Sequence, residues 1–315
     1  FSVQLGGENS VQRDYDGTPM ATDCMAEEDL LAFARVLNKV GRGFTQIAGS
    51  LEIAEKIAEV SGRPVLWNLL APATDQHGQK TAPHQEAIRR IDEDNAKGLR
   101  IFAQALTVDV GFEFTLEDWN LFDTSPVWRE VTLGDVSERM QKMSDPQRRH
   151  ALREEYDLGK GPIAGGGTEE GVKESGGGAN VNGIATLIVE DVESPELKKY
   201  EGLHLPEIAE MQNKHIIDAF LDLALEDNLK TTFATPPRPT DPDAMAEVAN
   251  SSVAIPGVSD GGAHTKFITL GAYPTEFLSR WVRDGEIMDL EQAHWRLSAY
   301  PALAAGVKDR GWLRE

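Results

Sequence analysis

Cysteine is almost absent: Cys24 is the only one in 315 residues. That excludes an internal disulfide framework and a zinc site assembled from several thiolates. No apolar run nears the ~20 residues that span a bilayer, so a membrane helix is not expected. The first residues show no basic, apolar, small-residue pattern of an export signal, and cytoplasm is the default expectation. Cations are also short: 31 Lys and Arg face 52 Asp and Glu, for a net charge of −21. Such a surface repels phosphate backbones, so nucleic acid is not an expected partner. The glycine-rich stretch from Pro162 to Ala179 lacks the Lys-Ser/Thr of a phosphate-binding loop. It reads as a mobile loop.

What is present is ordinary globular material, 40% hydrophobic and 26% charged, long enough for one large domain. Phe1 to Leu5 reads as a strand. A helix capped at Thr22 or Asp23 follows, with Leu30, Leu31, Phe33, Ala34 and Leu37 on its apolar face and a stop at Gly41. Then come a strand to Gly49, a helix from Leu51 to Val60, a strand from Val65 to Leu70, a helix from Pro83 to Lys97 and a strand from Leu99 to Leu106. Strand, helix, glycine, strand is the grammar of parallel βαβ units. Between Val108 and Tyr156 the rhythm breaks. Trp119, Phe122, Trp128 and a helical stretch around Glu138 to Glu155 predict an insertion, at about 108–180, packed on the main body of a single 1–315 domain. Ala185 to Val189 and Lys230 to Ala234 read as further strands. About seven strands are expected against the eight of a closed α/β barrel.

The last of them leads into the most informative stretch. Val253-Ala254-Ile255-Pro256-Gly257-Val258 is an apolar run that stops at Ser259-Asp260-Gly261-Gly262-Ala263-His264. It reads as a buried strand whose end carries a carboxylate, on a turn loosened by glycines. A carboxylate just past a parallel strand is where α/β barrels keep their chemistry. Pro274 to Val282 then has helical spacing. The segment SDGGAH, with YPTEFLSRWVR and LEQAHWRLSAYPALAAGVKDRGWL after it, resembles the C-terminal barrel region of the N-acyl-D-amino-acid deacylases, a D-aminoacylase-like branch of the metal-dependent amidohydrolases. The resemblance extends more faintly to GRPVLWNLL (Gly62 to Leu70) and to Asp16–Leu37.

The resemblance implies a TIM-like (β/α)8 barrel that hydrolyses a non-peptide amide with a divalent metal, zinc by expectation. It also implies a small-molecule N-acyl amino acid as substrate. Asp260 would take a proton from the attacking water and return it to the leaving amine; as a bare Asp-Gly it is equally a turn residue. His264, in the same loop, would touch substrate or orient Asp260; a loop histidine is otherwise a surface residue. Asn68 and Gln104 lie in strands where active amidohydrolases carry histidine ligands. A mid-strand amide either binds a substrate carbonyl or satisfies a backbone group. His77 and His84 are metal ligands by type only. His150 sits in a run of helix charges, QRRHALREE, and reads as solvent-facing; His204, His215 and His294 fall in helical patterns and read as structural.

The amidohydrolase signature His-x-His is missing from the chain. Either that strand lies upstream of Phe1, so that the chain is a fragment with an incomplete barrel, or this branch has lost part of its site. The metal ligands are therefore unassigned. Two other readings stand beside deacylation: a non-catalytic barrel that binds a ligand or partner through the same face, and an amidohydrolase acting on a cyclic amide.

Overall fold

The computed structural model describes residues 1–5, 14, 16, 18–74, 80–81, 83–118, 122, 125–158, 183–235, 240–259, 261, 269–307 and 309–312. Strands β1 (Ser2–Gln4), β2 (Thr45–Ala48) and β3 (Val65–Leu70) are followed by a small antiparallel hairpin of β4 (Ala73–Thr74) and β5 (Lys80–Thr81). Then come β6 (Ile101–Leu106), β7 (Glu113–Phe114), β8 (Ile188–Asp191), β9 (Thr232–Ala234) and β10 (Ala254–Gly257). Five of them form the main sheet, in the order β1-β2-β3-β6-β10, with every neighbouring pair parallel. The βαβ grammar of the sequence is thus the observed architecture. Among the described residues the sheet is open, with β1 and β10 at its edges.

The intervening helices show why these segments fold as they do. α1 (Glu27–Val40) stops at Gly41, whose left-handed φ of 70° lets the chain turn without a Cβ penalty. Its N-cap is Ala26, with no side-chain hydrogen bond, rather than Thr22 or Asp23; Asp23 is buried instead. α2 (Leu51–Ser61) starts at Ser50, whose hydroxyl accepts from Ile53 N. α3 (Pro83–Ala96) completes the series. Leu30, Ala34, Leu51, Ala54, Ile57, Ala87 and Ile91 of these helices pack on Ile47, Val65, Trp67, Ile101, Ala103 and Ala105 of the sheet, joined by Val248 from the helix Pro242–Asn250.

The opposite face has a different cover. Leu66, Phe102 and Ile255 pack against Trp295, Tyr300 and Ala304 of the last two helices, Leu290–Leu297 and Ala299–Ala304. Trp295 and Tyr300 stack with ring centroids 4.4 Å apart. Between them Arg296 is buried and donates to the carbonyls of Asn250, Ser251 and Ala254, fastening this layer to the start of β10. Tyr300 donates to the carbonyl of Ser252; burial pushes its phenol up to about 12, so it stays a donor.

Two expected barrel strands belong elsewhere. Lys230 to Ala234 yields β9, which pairs antiparallel with both β7 and β8 in a separate three-stranded sheet. Ala185 to Val189 is a helical turn, Gly183–Thr186, before β8 begins at Ile188. A short apolar run does not distinguish a parallel from an antiparallel strand. What decides it is the partner: Phe233 of β9 enters an aromatic core with Phe114, Phe122, Trp128 and Phe220. This second core begins in the expected insertion and continues past residue 180, through the helices Leu205–Gln212 and Ile216–Glu226. The single helical stretch expected near Glu138–Glu155 is two helices, α5 (Val136–Ser144) and α6 (Pro146–Asp157), after α4 (Pro126–Thr132). Asp145 divides them because its carboxylate caps the second helix and Pro146 lacks the N–H that would continue the first.

Cys24 is exposed. No helix among the described residues is long and apolar enough to cross a membrane. The glycine-rich stretch and Trp119 lie outside the described residues. One surface feature stands apart: Phe33, Val36 and Val40 are exposed at spacings of three and four along α1, and the Phe1 ring sits 5.4 Å from Phe33.

The second core carries a direct prediction. Phe220→Ala, which empties the centre of the aromatic cluster, lowers stability by about 3–5 kcal/mol in urea unfolding. Phe33→Ser, on the exposed face of α1, shifts it by less than about 0.5 kcal/mol.

Candidate functional site

Because all five strands of the main sheet run the same way, β2, β3, β6 and β10 end at one edge. Side chains alternate across each strand. Ile47, Trp67 and Ala103 point to the helical layer, so their neighbours Gln46, Asn68 and Gln104 point to the other face. Asn68 pairs in register with Gln104 on the adjacent strand. Gln46 reaches over β3 and donates from Nε2 to Gln104 Oε1 at 2.6 Å. Gly257 of β10 faces this pair; a Cβ there would stand 3.5 Å from Gln104 Nε2. Three carboxamides thus converge on one patch of sheet. On its N-terminal side is the apolar layer of Leu66, Phe102, Ile255, Trp295 and Tyr300.

The patch is not self-satisfied. Asn68 Oδ1 is buried and accepts no hydrogen bond among the described residues. Leaving a buried acceptor unpaired costs about 1–3 kcal/mol, so the position is not explained by stability. Just beyond Asn68 the pairing with β6 shifts, and the Asn68–Leu69 peptide is cis. Leu69 then joins Leu106, Val108, Val258, Leu270 and Tyr273 in a small apolar cluster at the strand ends.

That cluster frames the loop after β10. Val258 has φ +66°, a left-handed conformation that a β-branched residue adopts only under constraint. Burial against Val108 and Leu270 supplies the constraint. Ser259 O accepts from Leu270 N at 2.7 Å, closing the base of the loop. Asp260 and His264, the two loop residues singled out by sequence, lie outside the described residues, as does His77. Their flanks, Ser259 and Leu270, are fixed.

A second polar set lies past the end of β6. Asp109 accepts from Arg280 at 2.7 Å and from both the backbone N–H and the hydroxyl of Thr240. Arg280 also reaches Glu276 and lies 4.4 Å over the Trp281 ring, whose Nε1 donates to Thr107 O. These contacts pin the helical segment Tyr273–Asp284 to the strand end. Its second half widens into a π-turn from Phe277 to Asp284.

Gln46, Asp109, Arg280 and Val258 were not found from sequence. Strand alternation alone places Gln46 on the face of Gln104. The signal that picked out Asp260, a carboxylate just past a strand, also fits Asp109. Nothing local marks Val258, since valine disfavours the conformation it adopts.

His84 is corrected. Its imidazole is buried between α3 and the helix Pro242–Asn250, with Nε2 3.0 Å from Glu247 Oε2, which also accepts from Gln85. It links two helices. His150, His204 and His294 are exposed, and His215 caps its helix by accepting from Ile217 N. Among the described residues no group of three His, Cys, Asp or Glu side chains is placed to hold a metal. On the sheet face the donors are neutral amides, and the carboxylate of Asp109 past β6 is taken by Arg280 and Thr240, whereas zinc takes imidazole, thiolate or carboxylate. The described residues therefore do not fit the expected ion.

No known family profile matches the chain, and no curated protein matches it. Among solved structures, an N-acyl-D-glutamate deacylase from Bordetella bronchiseptica, complexed with zinc and a phosphonate inhibitor, is 15% identical. That match covers 94% of this chain and 49% of that one, with a TM-score of 0.49. A D-aminoacylase described as defining a novel subset of amidohydrolases is 15% identical over 91% of this chain and 47% of its own, with a TM-score of 0.48. A second D-aminoacylase structure, concerned with its binuclear metal center, gives 15%, 91%, 47% and 0.47 in turn. The chain spans about half the length of the structures it matches. At this identity and these TM-scores, the likeness carries no residue role over to this chain.

The Gln46–Gln104 bond predicts a non-additive pair. Gln104→Met leaves Gln46 Nε2 without its acceptor and costs about 1–3 kcal/mol. The double variant Gln46→Met/Gln104→Met recovers most of that loss, because no unpaired amide remains. Urea unfolding of the two single variants and the double reads the coupling.

Proposed function

We propose that this chain acts as an amide hydrolase of the deacylase type, with an N-acyl-D-amino acid as substrate. The observation that carries the reading is the convergence of Asn68 and Gln104 on one face, at the edge where β10 leads through Val258 and Ser259 towards Asp260. The resemblance of SDGGAH to the deacylase motif adds to it. In this reading Asn68 and Gln104 hold the substrate amide. Asp260 takes a proton from water as its oxygen adds to the acyl carbon. The same proton passes to the leaving nitrogen as the C–N bond breaks, giving a carboxylate and a free amino acid. His264 contacts the substrate. A divalent ion belongs to the reading through the resemblance alone, and no step is assigned to it here.

One observation favours a rival. Neutral amides at the strand ends, where the deacylase pattern calls for metal ligands, suit a protein that binds an amide without cleaving it.

Steady-state turnover of a panel of N-acetyl-D-amino acids separates the two. Asp260→Asn is expected to lower turnover by about a hundredfold to ten-thousandfold, the usual contribution of general acid–base catalysis, with the melting curve unchanged. His264→Ala is expected to act mainly on KM. Near-normal turnover in Asp260→Asn removes this carboxylate from the proton transfer. A wild type that binds these compounds and turns none over supports the binding protein.

A further inference from the structure

The carboxamide patch raises a question that hydrolysis alone does not answer, namely what occupies positions where the resemblance calls for metal ligands. We infer that Gln46, Asn68 and Gln104 form a recognition site for an uncharged secondary amide, and that this face binds the amide group itself instead of a metal ion. The inference rests on the reading of the chain as an amide-binding protein or hydrolase, and it names the group recognised.

Three observations carry it. The side chains on this face of the central strands, Gln46, Leu66, Asn68, Phe102, Gln104 and Ile255, include no charge. A cation would find neutral oxygens only, and zinc prefers imidazole, thiolate and carboxylate. Next, Asn68 Oδ1 is a buried acceptor with no donor among the described residues, while Gln46 and Gln104 are already joined. Asn68 Oδ1 is therefore the atom left without a partner, and an amide N–H of a ligand supplies one. Finally, a carboxamide presents an acceptor and donors side by side, in the complement of another amide's N–H and C=O. Gly257 adds no side chain in front of Gln104, and the layer of Leu66, Phe102 and Ile255 gives the acyl or side-chain methyls an apolar neighbour. A buried polar site of this kind discriminates strongly against analogues that lack the matching group, because its own atoms are then left unpaired.

Calorimetric titration of the full chain tests this without relying on turnover. The probes are N-acetyl-D-alanine, N-acetyl-D-alaninamide, an equimolar mixture of acetate and D-alanine, and zinc chloride. The expected result is that both N-acetyl compounds bind and that the mixture, which lacks the amide bond, binds at least tenfold more weakly. Asn68→Leu keeps the size of the side chain and removes the unpaired oxygen. It is expected to melt no lower than wild type and to bind either amide at least tenfold more weakly. Gln104→Leu, with its circular dichroism checked, is the second variant and is expected to weaken binding in the same way. The inference is overturned if the mixture binds as well as the amides, if neither variant changes amide affinity, or if the wild type shows no amide binding. Stoichiometric zinc that both variants abolish also overturns it, because the face would then be a metal site. Amide binding without any hydrolysis sinks the hydrolase reading alone. Hydrolysis that depends on Asp260 but with binding indifferent to Asn68 and Gln104 sinks this inference and takes those two residues out of the hydrolase reading, while the proton transfer by Asp260 stands.

Discussion

A parallel sheet is rarely left open to water on either face, and in this molecule the need to cover both faces organises everything else. Helices α1–α3 cover one side with leucine, isoleucine and alanine, and Pro242–Asn250 adds Val248. The other side is covered by the last two helices of the chain, through Trp295, Tyr300 and Ala304. That second cover reaches Leu66, Phe102 and Ile255. Two residues further along their strands, Asn68, Gln104 and Gly257 line the polar patch, beyond the apolar cluster formed with those two helices. Among the described residues the candidate site is thus the part of that face next to the apolar cover, not under it.

The fastening of that cover also sets the geometry around the site. Arg296 spends its guanidinium on three carbonyls at the start of β10, and no carboxylate is needed to hold it. At the other end of the sheet, Asp109, Arg280 and Trp281 fix the segment that follows the β10 loop. The loop after Ser259 therefore begins and ends on anchored residues, and Val258 accepts a strained φ between them. Strain concentrated at a strand end beside converging polar groups is a common mark of a working site.

The repeating half of the fold was legible in the sequence because each unit states its own limits. Gly41 and Gly62 end helices in the left-handed conformation, and the apolar runs of β3, β6 and β10 are too short to be anything but strands. Lys230 to Ala234 was legible as a strand but not as an antiparallel one. Its Phe233 packs on Phe114 and Phe220, 119 and 13 residues back along the chain. Asn68 and Gln104 were singled out through the family resemblance, and strand pairing puts them side by side. The bond from Gln46 was not legible, since it crosses an intervening strand. The helical link of His84 was not either, since Glu247 lies 163 residues along the chain.

The apolar stripe of α1 has a consequence in solution. Phe33, Val36, Val40 and the nearby Phe1 lie on the same part of the surface as β1, an edge strand of the main sheet among the described residues. Two molecules that bring such surfaces together would bury oily side chains and extend a sheet at once. Opposing that approach is the charge of −21 that every copy carries. Its reach is only about 8 Å at physiological ionic strength and about 3 Å in molar salt. Added salt is therefore expected to shorten the reach of the repulsion that opposes contact between such stripes.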